Sequence, residues 1–339
     1  MARPRAPWWI FAIAASVLAY LGLVVYADLF GPGAFGTALR FRDGRVVVVE
    51  VVPGYPAARA GVEPGDHIVT AAGQPVQTVL EWRAVAENAE VGRPFTLEID
   101  RDGQRREVSL SFEAHWRRWG AGTWLTFLAK VAAKVVTFGL ALVIAFRRPH
   151  DVVALVGALW LASLSITDFV PIAVADPHAP TLPNGAAAIW RSLPLWLSAP
   201  LWVACTTFLL GPALSVVFLA IFPRPVFRTR RAWWLWSFMW APLSIVGLPL
   251  LLFWVYRGVY DPTHSTGVMP DWFTPFVGVA VFTSLGIALA LLVVNYRRLV
   301  DQNERRRVRV LVLGVFVGLG GSAPIAMAGF FDFPPVLHP

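Results

Sequence analysis

Cysteine is almost missing from this chain. The single one, Cys205, lies inside a long apolar run. One thiol supports neither an internal disulfide framework nor a cysteine-based metal site. Charge is scarce too: 15% of residues are charged and 57% are apolar. Soluble domains usually hold about 25% charged and about 45–50% apolar residues. The six histidines are His67, His115, His150, His178, His264 and His338. None falls well inside an apolar run, so no metal cluster can form within a membrane. The sequence has no H-E-x-x-H zinc motif and no G-x-x-x-x-G-K-[ST] phosphate loop. Ser322, in "GGSAP", lacks a membrane histidine to activate it and reads as a helix-packing residue. Gly314, Gly318 and Gly321 read the same way. No catalytic residue, metal ligand or cofactor site is therefore expected.

Long apolar runs account for the missing charge, and they make this an integral membrane protein. Seven are long enough to cross a hydrocarbon core, which takes about 20 helical residues. They cover 8–27, 124–146, 152–174, 195–222, 233–256, 273–294 and 308–331. The first also fits a signal peptide after the basic start "MARPR". No small-x-small cleavage site follows "GLVVYADLF", so an anchor is expected.

The net charge of +8 is distributed as a topology signal. Arg3, Arg5, Arg147, Arg148, Arg224, Arg228, Arg230 and Arg231 flank one side of the spans, as do Arg297, Arg298, Arg305, Arg306, Arg307 and Arg309. The other side holds Arg117, Arg118, Arg191 and Arg257 outside the soluble insert. Basic residues favour the cytoplasmic side. The N-terminus is thus expected inside and the C-terminus outside, in a multi-pass cell (inner) membrane protein. Anionic lipid, not nucleic acid, is the partner this basic excess suggests. Trp8, Trp9, Trp116, Trp119, Trp233 and Trp234 sit at span ends, where amphipathic rings favour the interface.

Between spans one and two the pattern changes to period two. "RVVVVEVV" (45–52) and "FTLEIDRDGQRREVSLSF" (95–112) read as strands. Asp102-Gly103 signals a hairpin turn. "VLEWRAVAENA" (79–89) reads as a short helix. Pro56 can start a helical turn that Gly61 ends, and Pro64-Gly65-Asp66 forms a turn before Ile68 and Val69. About 80 residues of this kind can bury a modest core.

The run "YPAARAGVEPGDHIVTAAGQPV" (55–76) closely resembles the most recognisable stretch of bacterial PDZ domains. "VGRPFTLEIDRDGQRREVSL" resembles their closing hairpin. The resemblance implies a domain that adds an extended peptide, often a C-terminus, to a strand edge. It implies a carboxylate-holding loop at "AFGTALRF", with Phe35, Gly36 and Thr37 as contacts. Leu80, in the short helix, joins them as an expected peptide contact. A PDZ-shaped packing module without a ligand is the alternative.

"VFLAIFPRPVFRTRR" (217–231) and "YRRLVDQNERRRVRVLVLGVFVGLG" (296–320) resemble the membrane sensor region of ComP-like histidine kinases. The resemblance implies quorum-sensing signal relay, with a cytoplasmic effector such as a kinase. No kinase follows residue 339, so the effector is expected on a separate chain or on a continuation of this one. Three charges lie within spans. Lys130 and Lys134 share one helix face in span two, and Asp168 lies in span three. Such groups cost about 2.5–3.5 kcal/mol each at mid-membrane, so the three are expected to pair. Snorkelling lysines are the alternative.

The resulting expectation is an all-α membrane bundle of about seven transmembrane helices with an inserted α+β PDZ-like domain. Residues 1–32 form the anchor, 33–115 the extracytoplasmic PDZ-like domain and 116–339 the multi-pass sensor region. The main functional expectation is a sensor or receptor without enzymatic activity of its own. The rival is a PDZ-containing membrane protease or a protease adaptor that presents substrates. A transporter is disfavoured, since no internal repeat is evident. Single cysteines at Gln104 and Gln302, in a Cys205→Ala background, test the topology. An impermeant thiol reagent on intact cells should label only the Gln104→Cys protein, and labelling of Gln302→Cys alone reverses the orientation.

Overall fold

A computed structural model describes residues 6–42, 44–77, 79–86, 89–166, 186–226, 229, 234, 247–260, 273–306 and 308–309. The chain opens with the helix α1, Trp8–Phe30. It then enters the insert through β1 (Thr37–Arg42), β2 (Arg45–Val51), α2 (Pro56–Arg59), β3 (His67–Ala71) and β4 (Gln74–Pro75). The insert continues with α3 (Val79–Ala86), β5 (Pro94–Arg101) and β6 (Gln104–Ser111). Every strand pairing is antiparallel. The sheet order is β1-β2-β3-β5-β6, with β4 paired to β3.

Alternation drives this sheet. Val46 and Val48 of β2, Ile68 of β3, Phe95, Leu97 and Ile99 of β5 and Leu110 of β6 are all buried in one cluster. Each strand puts every second side chain on one face, so these positions share one core. Asp102 and Gly103 have φ of +54° and +80°, between the paired Arg101 and Gln104. A two-residue turn with positive φ at both positions matches the twist of the flanking strands. The run 34–41, expected as a loop, becomes the strand β1 once Gly36 has made its turn.

One ion pair locks the far end of the insert. Asp66 is 1% exposed and precedes β3. Arg101, the last residue of β5, donates from Nε to its Oδ1 at 2.7 Å and from Nη2 to its Oδ2 at 2.8 Å. The Glu63 N–H donates to Oδ2 at 2.9 Å, and the same guanidinium reaches the Gly61 carbonyl at 2.7 Å. Planar, two-pronged recognition is what arginine supplies and lysine does not. Burial pushes the Asp66 carboxyl up. The Arg101 and Glu63 hydrogen bonds and the Arg101 charge outweigh it and hold the group below the usual carboxylate range.

After a single 3-10 turn, His115–Arg118, the chain enters a helical bundle. It comprises α4 (Ala121–Arg147), α5 (Val152–Ile166), α6 (Ala186–Ser192), α7 (Leu195–Leu209), α8 (Gly211–Ile221), α9 (Leu248–Tyr260) and α10 (Phe273–Arg298). Among the described residues, two helices are long and apolar enough to cross a membrane: α1 with 23 residues and α4 with 27. At about 1.5 Å per residue both exceed a hydrocarbon core of about 30 Å. Among the described residues this gives two of the about seven spans expected. The run 195–222 is two helices bent by 52° at a break, and counting it as one span gives three. Pro212 lies in the first turn of α8, where its missing N–H cannot continue the α7 ladder. The run 152–174 is described only to 166, 233–256 is described at 234 and from 247 on, where α9 covers its end, and 308–331 lies almost wholly outside the described residues. The run 273–294 lies within the 26-residue α10.

Asp168 is also outside the described residues. Lys130 Nζ meets Asp28 Oδ2 of α1 at 3.3 Å. Lys134 is buried and donates to the Ile166 carbonyl at 3.4 Å. Asp28 sits in the last turn of α1 and is an acidic partner that reading the apolar runs alone passed over.

The Asp66 carboxyl is depressed in the folded state, so its contribution is full above the ordinary carboxylate value and disappears as pH falls through the lower folded value. Thermal unfolding of the insert within the full chain should be level from neutral pH down to about 4 and fall below it. Asp66→Asn should lower the neutral-pH midpoint and flatten the acid limb, and the two proteins should converge at the acid end. An unchanged acid limb in Asp66→Asn would remove Asp66 as its cause.

Candidate peptide-binding site

The geometry that matters is an unpaired edge. β1 ends the sheet order, so among the described residues it pairs with β2 alone. Its second edge offers N–H and C=O groups to another extended chain. The approach to β1 is tied down by carbonyls. The Phe35 carbonyl accepts from the Ala57 N–H at 3.2 Å, and the Gly36 carbonyl accepts from the Val52 N–H at 2.8 Å. The N–H groups of Phe35 and Gly36 have no partner among the described residues. Adjacent N–H groups with no internal partner form a nest for an anion such as a carboxylate.

Gly36 is required here twice over. Its φ is +84°, and a Cβ at this position would lie 2.1 Å from the Tyr55 Cβ and 2.6 Å from its Cγ. Phe35 turns its ring to Trp82 of α3, edge to face with centroids 5.1 Å apart. Phe35, Leu39, Phe41 and Trp82 are partly buried against the insert core, so apolar surface lines the space beside β1. Thr37 Oγ1 is buried without a hydrogen-bond partner among the described residues. An orphaned buried hydroxyl costs about 1–3 kcal/mol, a cost that a bound polar group would relieve.

Phe35, Gly36 and Thr37 are thus contiguous at the mouth of the edge strand. Leu80 lies in α3, but its side chain is outside the described residues. Trp82 was missed by the sequence reading. The spacing Val79, Trp82, Val85 carried the signal, since residues three apart share a helix face.

The family model for the PDZ domain matches residues 33–112. The insert is a PDZ domain. HhoB of Synechocystis sp., whose description assigns it provisionally to the serine proteases, is 35% identical over 66 residues. That stretch is 20% of this chain and 16% of HhoB, so the chain spans about a sixth of that relative. Two solved structures of the HtrA-type protease AlgW with decapeptide also match. One is 20% identical, covers 29% of this chain and 33% of that chain, and has a TM-score of 0.26. The other is 21% identical, covers 25% and 30%, and has a TM-score of 0.23. The PDZ domain accounts for the soluble insert and leaves α4–α10 outside the match.

Gly36→Ala tests the site. It must force an L-residue into the left-handed region, at about 1–2 kcal/mol, and displace Tyr55. Any peptide binding by the PDZ domain should fall by at least about tenfold, since about 1.4 kcal/mol corresponds to that factor. Full affinity in a folded Gly36→Ala protein would move the site away from this loop.

Proposed function

We propose that this chain is a membrane-anchored PDZ protein that captures polypeptide C-termini and presents them to a protease. The observation that carries the reading is the open β1 edge headed by the N–H groups of Phe35 and Gly36, which have no partner among the described residues. A C-terminal carboxylate held there directs its chain antiparallel along β1. Backbone pairing then supplies affinity and the apolar lining supplies selection. The protease connection is supported by HhoB, and none of the relatives reported above is a sensor kinase. Adaptor therefore replaces the sensor of the sequence reading as the favoured role. The catalytic groups are assigned to a partner protein, and this chain to binding and anchoring. The membrane anchor is supported by α1 and α4, and the arginine asymmetry supports an extracytoplasmic PDZ domain.

The full chain in lipid nanodiscs should bind members of an array of free-carboxylate decapeptides and lose them when the same peptides are C-terminally amidated. Binding that survives amidation would locate recognition elsewhere on the peptide. An array without hits would leave the PDZ domain as a packing module. Purified protein should not cleave the peptides it binds. Cleavage abolished by a point change in this chain would make it the protease itself.

A further inference from the structure

The loop that heads β1 is braced from the membrane side. Tyr55 blocks the space beside Gly36, so the position of its ring and that of the loop are coupled. The guanidinium of Arg118 lies over that ring, 4.6 Å from its centroid. Arg118 also donates from Nη2 to the Gly54 carbonyl at 2.8 Å, gripping the backbone one residue before Tyr55. Its other contact is Glu113 Oε2, at 3.5 Å. Glu113 accepts from Arg59 Nη1 at 2.7 Å, just past the same tyrosine in α2. That hydrogen bond holds the Glu113 carboxyl below the usual range against its partial burial, with the Arg59 and Arg118 charges adding to it.

Arg118 does not belong to the sheet. It ends the 3-10 turn that leads into α4, and both it and Glu113 lie beyond residue 112, where the PDZ family match stops. The turn is itself fixed to the helices, since Trp119 packs on Trp124 and Phe127 with centroids 4.9 Å and 4.8 Å apart. The contacts run without a gap from α4 to Arg118, to Tyr55, to Gly36.

We propose that Arg118 is a positioning residue for the peptide-binding loop, so that the binding unit of this protein includes the stem joining the PDZ domain to α4. The proposal rests on the peptide-binding reading for its consequence, but the bracing itself does not. A guanidinium over an aromatic ring contributes about 0.5–1 kcal/mol at exposed sites and more when desolvated. The two-pronged grip on Gly54 and Glu113 adds directional restraint that an ammonium cannot copy. With Arg118 removed, Tyr55 is free to leave Gly36 and the loop samples other conformations.

The test uses the full chain in nanodiscs with two readouts. The first is amide hydrogen exchange of residues 34–40, with the 94–111 hairpin as the internal control for folding. The second is binding of a labelled pool of free-carboxylate decapeptides ending in Leu, Val or Phe, with an amidated pool alongside. Arg118→Ala should speed exchange in 34–40 by at least about tenfold and leave the hairpin protected. It should weaken pool binding in proportion. Arg118→Lys, which keeps a cation but loses the two-pronged grip, should fall between. Unchanged exchange in 34–40 with a protected hairpin overturns the proposal. If Arg118→Ala also loses hairpin protection, Arg118→Lys decides on the same criterion. Faster loop exchange in a protein whose wild type binds no free-carboxylate peptide keeps the bracing and removes the peptide reading. Peptide binding with loop exchange indifferent to Arg118 does the reverse.

Discussion

Two backbone hydrogen bonds close the neck of the PDZ domain, and the rest of the architecture hangs from them. The Gly33 N–H donates to the Glu113 carbonyl at 2.9 Å, and the His115 N–H donates to the Gly31 carbonyl at 3.0 Å. They bring the two chain ends of the domain side by side, the arrangement that lets a domain sit inside another chain's sequence. Because the ends leave together, α1 and α4 start as neighbours, and Lys130 can reach Asp28. The neck also places β1 only a few residues from the stem that leads into α4. The open edge and the anchor are therefore parts of one short stretch of backbone.

What the sequence makes visible here is what is local. The valine run of β2, the Asp102-Gly103 turn and the short helix α3 each follow from neighbours within a few residues, and all are present. Gly36 stood out only through the resemblance of "AFGTALRF" to the carboxylate-holding loop of PDZ domains. Its true constraint, the Tyr55 side chain 19 positions later, leaves no local trace. Asp66 and Arg101 are 35 residues apart and were invisible for the same reason. β1 was read as part of that loop, and "TALRFR", which mixes arginine with apolar residues, was not weighed as a strand. An edge strand with one face open to water has that composition. In the helical half, apolar length was legible, but the Gly211-Pro212 break was not weighed, so one apolar run was read as a straight span.

Several buried polar groups among the described residues of the helical half find partners on neighbouring helices. Asn295 of α10 is 2% exposed and donates to the carbonyls of Leu219 at 3.0 Å and Phe222 at 2.7 Å, where α8 runs out of partners of its own. Helix C-termini leave carbonyls unbonded, and an apolar environment offers no water to take them. Trp190, fully buried in α6, donates to Ser198 of α7 at 2.9 Å, and Ser198 in turn shares a 2.9 Å hydrogen bond with Tyr260 of α9. Three helices are joined there by one hydroxyl. Close approach elsewhere depends on missing side chains. A Cβ on Gly157 of α5 would lie 2.8 Å from the Phe218 ring of α8. Small residues of this kind let helices pack where apolar burial gives no drive.

The Asp28–Lys130 pair has a consequence for how the chain is made. Its two members are 102 positions apart, with the whole PDZ domain between them. At a synthesis rate of about 5–20 residues per second, the aspartate waits on the order of 5–20 s for its lysine. Throughout that interval α1 carries an acidic group without this lysine, while the intervening segment must leave the ribosome and fold. Its place in the last turn of the helix leaves its side chain 20% exposed and within reach of water, which makes the wait tolerable. The pair can close only after α4 has been made and packs beside α1, so the ionic contact follows synthesis of the whole domain between its two members.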